Sequence, residues 1–329
     1  MDNLTHSLLG VALSRAGLNR LAPHAGWLLV AAANAPDLDI IAWAGGNAAY
    51  LEHHRGWLHA APMAPLVALL PWLAWRLLVR RGPGLGAYLC ALAGVASHLL
   101  LDWLNVYGIR LLLPFSKEWF RLDLLYIVDL WVWVLLLAAT LGPLLVKLVN
   151  AEIGARSGPG RGGAWFALAL LVVYIFGRSM LHDRALETLA TRSYPEGRVI
   201  RQAAFPGPFD PLRWTGVVET APAWRVYDLH LAREFDPDDA RLLYRSAPEP
   251  MVAAALRSPL MGEFARFNQF PYWRVTPVSE PEGGSEVSLF DLRFGLPEQG
   301  RFAATVVLDP QGKIVREAFE FGRLGTGKP

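Results

Sequence analysis

Long charge-poor apolar runs fill the chain up to about residue 182 and then stop. A run of roughly 20 apolar residues crosses the hydrocarbon core of a bilayer as a helix, because a helix satisfies its own backbone where no water is present. Six runs stand out, at residues 4–18, 26–44, 62–79, 85–104, 124–149 and 164–181. The first is marginal by length and carries Arg15. With 53% hydrophobic residues and a mean hydropathy of +0.27 the chain is too apolar for one soluble globule, yet Pro, Arg, Asp and Glu become frequent after the break. The expected fold is therefore a membrane all-α bundle of about six transmembrane helices over residues 1–182. A soluble α+β domain rich in antiparallel sheet is expected over residues 183–329.

In that second part, β-branched and aromatic runs bounded by Pro and Gly predict strands at 198–205, 213–220, 224–231, 272–278, 286–294, 302–308 and 314–321. A helix is expected over 250–267 and an interfacial segment over 109–122, while the loop 150–163 reads as a flexible turn. The net charge of +2 gives no reason to invoke nucleic acid, so membrane lipid is the partner that the composition suggests. A single cysteine, Cys90, excludes both a disulfide framework and a thiolate zinc site. The N-terminus lacks the basic region and cleavage signal of a removable signal peptide.

Against this apolar background the ionisable residues carry the information. His98 and Asp102 lie four apart in the run 85–104 and so share a helix face. Placing each at membrane depth costs roughly 2.5–3.5 kcal/mol on insertion scales, which calls for a partner such as a metal ion. For the pair alone, a core histidine satisfied by its own i+4 aspartate is the plainer alternative. With six antiparallel spans, however, His6, Asp37, Asp39, the cluster His53, His54 and His59, then His98, Asp102 and Asp129 all fall on one side of the bilayer. Unrelated core groups would not sort in that way. Pro36 breaks the helical run beside Asp37 and Asp39, as expected of a segment lining a polar cavity. Imidazole and carboxylate without thiolate suit zinc, with manganese or iron as alternatives, and the donors suffice for one ion or two. Such a site lowers the pKa of bound water to roughly 7, which is hydrolase chemistry.

Four stretches, Thr5-His6, Pro36-Asp37-Leu38-Asp39, His54-Arg55-Gly56-Trp57-Leu58-His59 and Ser97-His98-Leu99-Leu100-Leu101-Asp102, together resemble the successive motifs of the bacterial and archaeal membrane-bound metal-dependent hydrolases. The likeness covers about residues 1–180 and implies a polytopic inner-membrane protein with a metal-dependent hydrolase activity. It implies His54, His59, His98 and Asp102 as the foremost ligands, followed by Asp37 and Asp39, with His6 and Asp129 behind them. Asp37 and Asp39 either coordinate or orient a catalytic water. Arg55 either holds an anionic leaving group or touches lipid headgroups.

The leading function on this reading is hydrolysis of an ester or phosphoester, lipid-linked if the site opens at the bilayer edge. A metal or proton transporter is the alternative, as is a metal-stapled scaffold whose soluble domain binds a partner. Basic residues set the expected orientation: Arg15, Arg20, Arg76, Arg80, Arg81, Lys147, Arg156 and Arg161 lie on the side away from the site, against Arg55, Arg110, Lys117 and Arg121 beside it. Positive loops stay cytoplasmic, so site and C-terminal domain are expected in the periplasm.

Overall fold

The structure is a computed structural model that describes residues 1–80, 84–154, 161–299 and 302–321. The chain forms two compact units, one comprising Met1–Ile40, Arg55–His182 and Pro206–Pro211, the other Ile41–His54, Asp183–Phe205 and Leu212–Pro329.

The first unit is helical. Helix α1 (Asn3–Ala16) begins on Asp2, whose carboxylate accepts from the Thr5 N–H at 3.1 Å, and ends at Gly17. α2 (Ala25–Asn34) stops where Pro36 opens a 3-10 segment, Pro36–Gly45. After α3 (Gly46–His53), which belongs to the second unit, come α4 (Ala64–Val79), α5 (Gly84–Leu104), α6 (Leu130–Glu152) and α7 (Arg161–Ala190). Ala61–Val79, which is α4 with the 3-10 turn before it, and helices α5, α6 and α7 are long and apolar enough to cross a membrane. A fifth span results only if α2 and Pro36–His53, bent by 44°, count as one. Six spans are thus more than the described helices supply. The 14 residues of α1 rise about 21 Å, short of a core roughly 30 Å thick, and Pro36 cuts the second run after ten helical residues. Residues 109–122 form no helix; Ile109 and Phe120 pair as an isolated antiparallel bridge and close a loop. Residues 155–160 of the turn at 150–163 lie outside the described residues.

Small residues set how closely this bundle packs. α2 presents Ala25, Leu28, Leu29, Ala32 and Ala33 as its buried positions. A Cβ added at Gly10 of α1 would stand 3.1 Å from the Leu29 carbonyl oxygen, and one at Gly94 of α5 would stand 2.9 Å from the same oxygen. Glycine on both flanks therefore lets α1 and α5 approach the α2 backbone. At the other side of the unit, Tyr174 of α7 donates to Asp129 at 3.0 Å, and Arg178 Nε donates to the Leu124 carbonyl at 2.9 Å. Leu124 N–H in turn donates to Leu104 O at 3.0 Å. The end of α5, the start of α6 and the later half of α7 consequently meet at one end of the bundle.

The second unit holds two four-stranded sheets, each with its strands in chain order. One contains β1 (Arg201–Pro206), β2 (Arg213–Glu219), β3 (Ala223–His230) and β4 (Arg241–Tyr244). The other contains β5 (Pro271–Pro277), β6 (Ser285–Asp291), β7 (Phe302–Leu308) and β8 (Ile314–Phe321), paired antiparallel throughout. The predicted helix 250–267 is divided by Ser258-Pro259 into α8 (Glu249–Ala255) and α9 (Pro259–Phe267), the latter capped by Ser258. Phe264 and Phe267 of α9 pack on Phe302 at ring distances of 5.3 and 5.5 Å, fixing that helix on the second sheet. α3 packs against α9.

Two predictions concern this unit. Leu189, at the end of α7, is fully buried with Tyr194, Val218 and Tyr227. A fragment beginning at Asp183 is therefore expected to melt cooperatively and to be about 2–4 kcal/mol more stable than one beginning at Arg192, as denaturant titration will measure. Arg225 donates to Glu196 at 2.7 and 2.8 Å and so holds the Glu196 carboxyl below its usual range. A depressed carboxyl contributes stability that is complete above its unfolded value of about 4.3 and is lost as pH falls through the folded value. Glu196→Gln is expected to lower the melting temperature at neutral pH and to make its decline below about pH 4.3 shallower.

Candidate metal centre

Four elements of the helical unit bring ionisable side chains together. The 3-10 segment after α2 supplies Asp37 and Asp39, the 3-10 turn Trp57–His59 supplies His59, α5 supplies His98 and Asp102, and α1 supplies His6. Arg55 reaches the cluster from a left-handed backbone position, φ 55°. Apart from the two aspartates of the 3-10 segment, all of these side chains are buried.

Asp37, His59, His98 and Asp102 each aim one donor atom at a common point, all within 4.8 Å of one another. His98 Nε2 lies 3.0 Å from His59 Nε2, 3.4 Å from Asp102 Oδ2 and 3.7 Å from Asp37 Oδ1. His59 Nε2 lies 3.5 Å from both Asp37 Oδ1 and Asp102 Oδ2. Donors that share an ion at about 2.1 Å in tetrahedral array stand about 3.4 Å apart, so these five separations are close to the edges of one tetrahedron.

Proton placement sharpens this fit. His98 Nδ1 is 2.7 Å from the Ala33 carbonyl oxygen, an acceptor, so Nδ1 carries the proton and Nε2 of the neutral ring holds a lone pair. His59 Nδ1 lies 3.2 Å from Asp39 Oδ2. The two Nε2 atoms face each other at 3.0 Å, and Asp102 Oδ2 beside them has no hydrogen-bond partner among the described residues. A cation held among these four donor atoms would satisfy Asp102 Oδ2 and both nitrogens at once. The residues present fit a divalent metal.

The surrounding groups hold the donors in place. Asn3 Nδ2 donates to Asp37 Oδ2 at 2.9 Å, leaving Oδ1 toward the histidines. The Arg55 N–H donates to Asp39 Oδ2 at 2.7 Å. The Arg55 guanidinium lies 3.2 Å from Asp102 Oδ1, donates to Asn105 Oδ1 and Gly108 O at 3.3 Å, and sits over the Tyr107 ring at 4.4 Å. Asn105 Nδ2 donates to Asp102 Oδ1 at 3.1 Å, and the Met1 ammonium contacts the same oxygen.

Of the residues singled out from sequence, the structure assembles Asp37, His59, His98 and Asp102, with Asp39, Arg55 and His6 against them. Arg55 is turned inward on Asp102 and is not a headgroup contact at the surface. His54 is outside the group; it follows α3 and its ring stacks on Tyr50 at 4.6 Å. Asp129 is outside it as well. It caps α6, accepting from the N–H groups of Trp131 and Val132 and from Tyr174. Sequence reasoning does not find Asn3, Asn105 or the Ala33 carbonyl. Only Asn105 offers a signal, lying three residues after Asp102 on the chain.

Residues 1–185, more than half of the chain, match the profile of the YdjM inner membrane proteins. The chain belongs to the YdjM inner membrane protein family. Every residue of the donor cluster lies inside the YdjM match, and that description together with helices α4 to α7 establishes a membrane location. Residues 250–322, which hold α8, α9 and β5 to β8, match the YfhP C-terminal alpha/beta plait domain. The chain is also 31% identical over 149 residues to the uncharacterized protein YfhP of Bacillus subtilis (strain 168). That match covers 42% of this chain and 45% of the relative, so the chain spans under half of the relative's length. No solved structure matches the chain.

Proposed function

We propose that this YdjM-family protein is a membrane-embedded metal-dependent hydrolase acting on an ester or phosphoester of a lipid-linked substrate. The observation that carries the reading is the pair of Nε2 atoms, His59 and His98, 3.0 Å apart between two carboxylates. Nitrogen and oxygen donors at tetrahedral spacing favour zinc. Bound there, the ion supplies Lewis acidity toward the scissile group and acidifies a water.

The chain's own residues do the rest. Ala33 O keeps the His98 imidazole in the tautomer that presents Nε2, and Asp39 Oδ2 lies 3.2 Å from His59 Nδ1. Arg55 balances part of the carboxylate charge from the side away from the histidines. Asp37 is the one accessible donor, its side chain 17% exposed while the other three are at 0%, so substrate approaches over Asp37. Leu38 and Trp57 beside the donors are half exposed, which suits a substrate with a hydrocarbon part. Asn3 joins Asp37, so the start of α1 and the end of α2 share the end of the bundle that also receives α5, α6 and α7. That hairpin adds no net crossing whether or not it traverses the bilayer. By the positive-inside rule, the excess of basic residues at the opposite end supports a periplasmic reading for the centre and for the C-terminal domain.

A panel of phosphodiesters, phosphomonoesters and carboxyl esters of short and long acyl chain, offered to the purified protein in micelles, tests the activity. Turnover of at least one class that is lost in His98→Ala is expected. Equal turnover by both proteins would refute the assignment.

A further inference from the structure

We infer that the centre takes two divalent cations bridged by the Asp102 carboxylate, the second held by His6 and Asp102 Oδ1. This rests on the metal-centre reading above and extends it. His6 is buried at 1% exposure, and neither of its ring nitrogens has a hydrogen-bond partner among the described residues. Leaving such a group unsatisfied costs about 1–3 kcal/mol, so an imidazole placed there points to a ligand.

That ligand is not the ion of the first site. The His6 and His98 rings stack at 3.7 Å with 16° between their planes. An imidazole lone pair lies in its ring plane. An ion shared by two such rings would stand about 1.9 Å out of each plane at a bond length of only about 2.1 Å, roughly 65° away from both lone pairs. Parallel rings therefore point at separate positions, offset by about the ring spacing. That offset falls in the roughly 3.5–4 Å range of two-metal hydrolytic sites.

Asp102 is built to join the two positions. Its Oδ2 lies 3.4 Å from His98 Nε2, and its Oδ1 lies 3.4 Å from His6 Nε2. Both separations match the edge of a tetrahedron about an ion. Oδ1 also accepts from Asn105 Nδ2 at 3.1 Å and lies against Arg55 Nη2 at 3.2 Å and the Met1 ammonium, so the second ion takes the place of one of these donors. The three carboxylates of Asp37, Asp39 and Asp102 are already outweighed by Arg55, the Met1 ammonium and one divalent ion, so the second ion binds more weakly than the first.

Titration of the detergent-purified full chain with Mn2+, read by metal analysis and by electron paramagnetic resonance, tests this. The wild type is expected to bind two equivalents in two steps and to give an exchange-coupled spectrum. His6→Ala is expected to bind one equivalent with an uncoupled six-line signal, losing the weaker step. One equivalent and an uncoupled spectrum in the wild type would overturn the second ion while leaving the first intact. No binding at all would overturn both readings. The wild-type spectrum decides the matter even if His6→Ala does not fold.

Discussion

Replacing Asp102 with asparagine is expected to abolish tight metal binding and to destabilise the helical unit by about 3–5 kcal/mol. Asparagine keeps the shape of the side chain but removes its charge. Asp102 is fully buried, with Oδ2 between the Nε2 atoms of His59 and His98 and Oδ1 against Arg55 and Asn105. Removing one partner of a buried ion pair leaves the other uncompensated, and Arg55 is itself only 4% exposed. The loss of affinity should exceed the roughly 10–100-fold typical of changes one shell further out. Metal titration and thermal melts of wild type and variant in the same detergent give both quantities. A variant that keeps wild-type affinity but melts earlier would make Asp102 a structural partner of Arg55 and no ligand.

A second large effect is expected at a residue that touches no donor. Gly94 of α5 faces α2 so closely that a Cβ would stand 2.7 Å from Ala32 Cβ and 3.0 Å from the Ala33 nitrogen. Gly94→Val must push α2 outward, at a cost of about 1–3 kcal/mol or more. The same movement draws the Ala33 carbonyl away from His98 Nδ1, 2.7 Å distant, and frees the ring to change tautomer. Stability and metal affinity should therefore fall together. A Cβ added at Gly142 of α6 would meet nothing within 4 Å, so Gly142→Ala should leave both unchanged or slightly improved. Weak metal binding in Gly142→Ala, or full affinity in Gly94→Val, would break the link between α2–α5 packing and the centre.

These effects show where the sequence is informative. Strands such as β2, β3 and β7 are legible because apolar residues alternate or run between Pro and Gly, whereas the four residues of β4 are too few to carry a pattern. Hydropathy alone ends the last apolar run at 181, yet α7 continues to Ala190 because Arg184, Ala185, Leu186 and Glu187 are strong helix formers without being an apolar run. Within the centre, His98 and Asp102 are legible from their i, i+4 spacing, and Asp37 from its place beside a helix-breaking proline. His54 and His59 are indistinguishable in a loop without coordinates, since loop direction is set by tertiary packing. Asp129 lies inside the apolar run 124–149 and is expected there as a ligand, yet the helix starts only at Leu130 and Asp129 caps it. The Ala33 carbonyl leaves no trace in sequence, because every residue has one.

If His59 and His98, with Asp37 and Asp102, hold a divalent metal ion, the metal must travel with the protein and depend on both histidines. Elemental analysis of the purified full chain beside His59→Ala and His98→Ala tests this most directly. At least one equivalent of a divalent metal, zinc foremost, is expected in the wild type, with loss from both variants although each retains its helical circular dichroism. Full metal stoichiometry in both variants would contradict the metal centre.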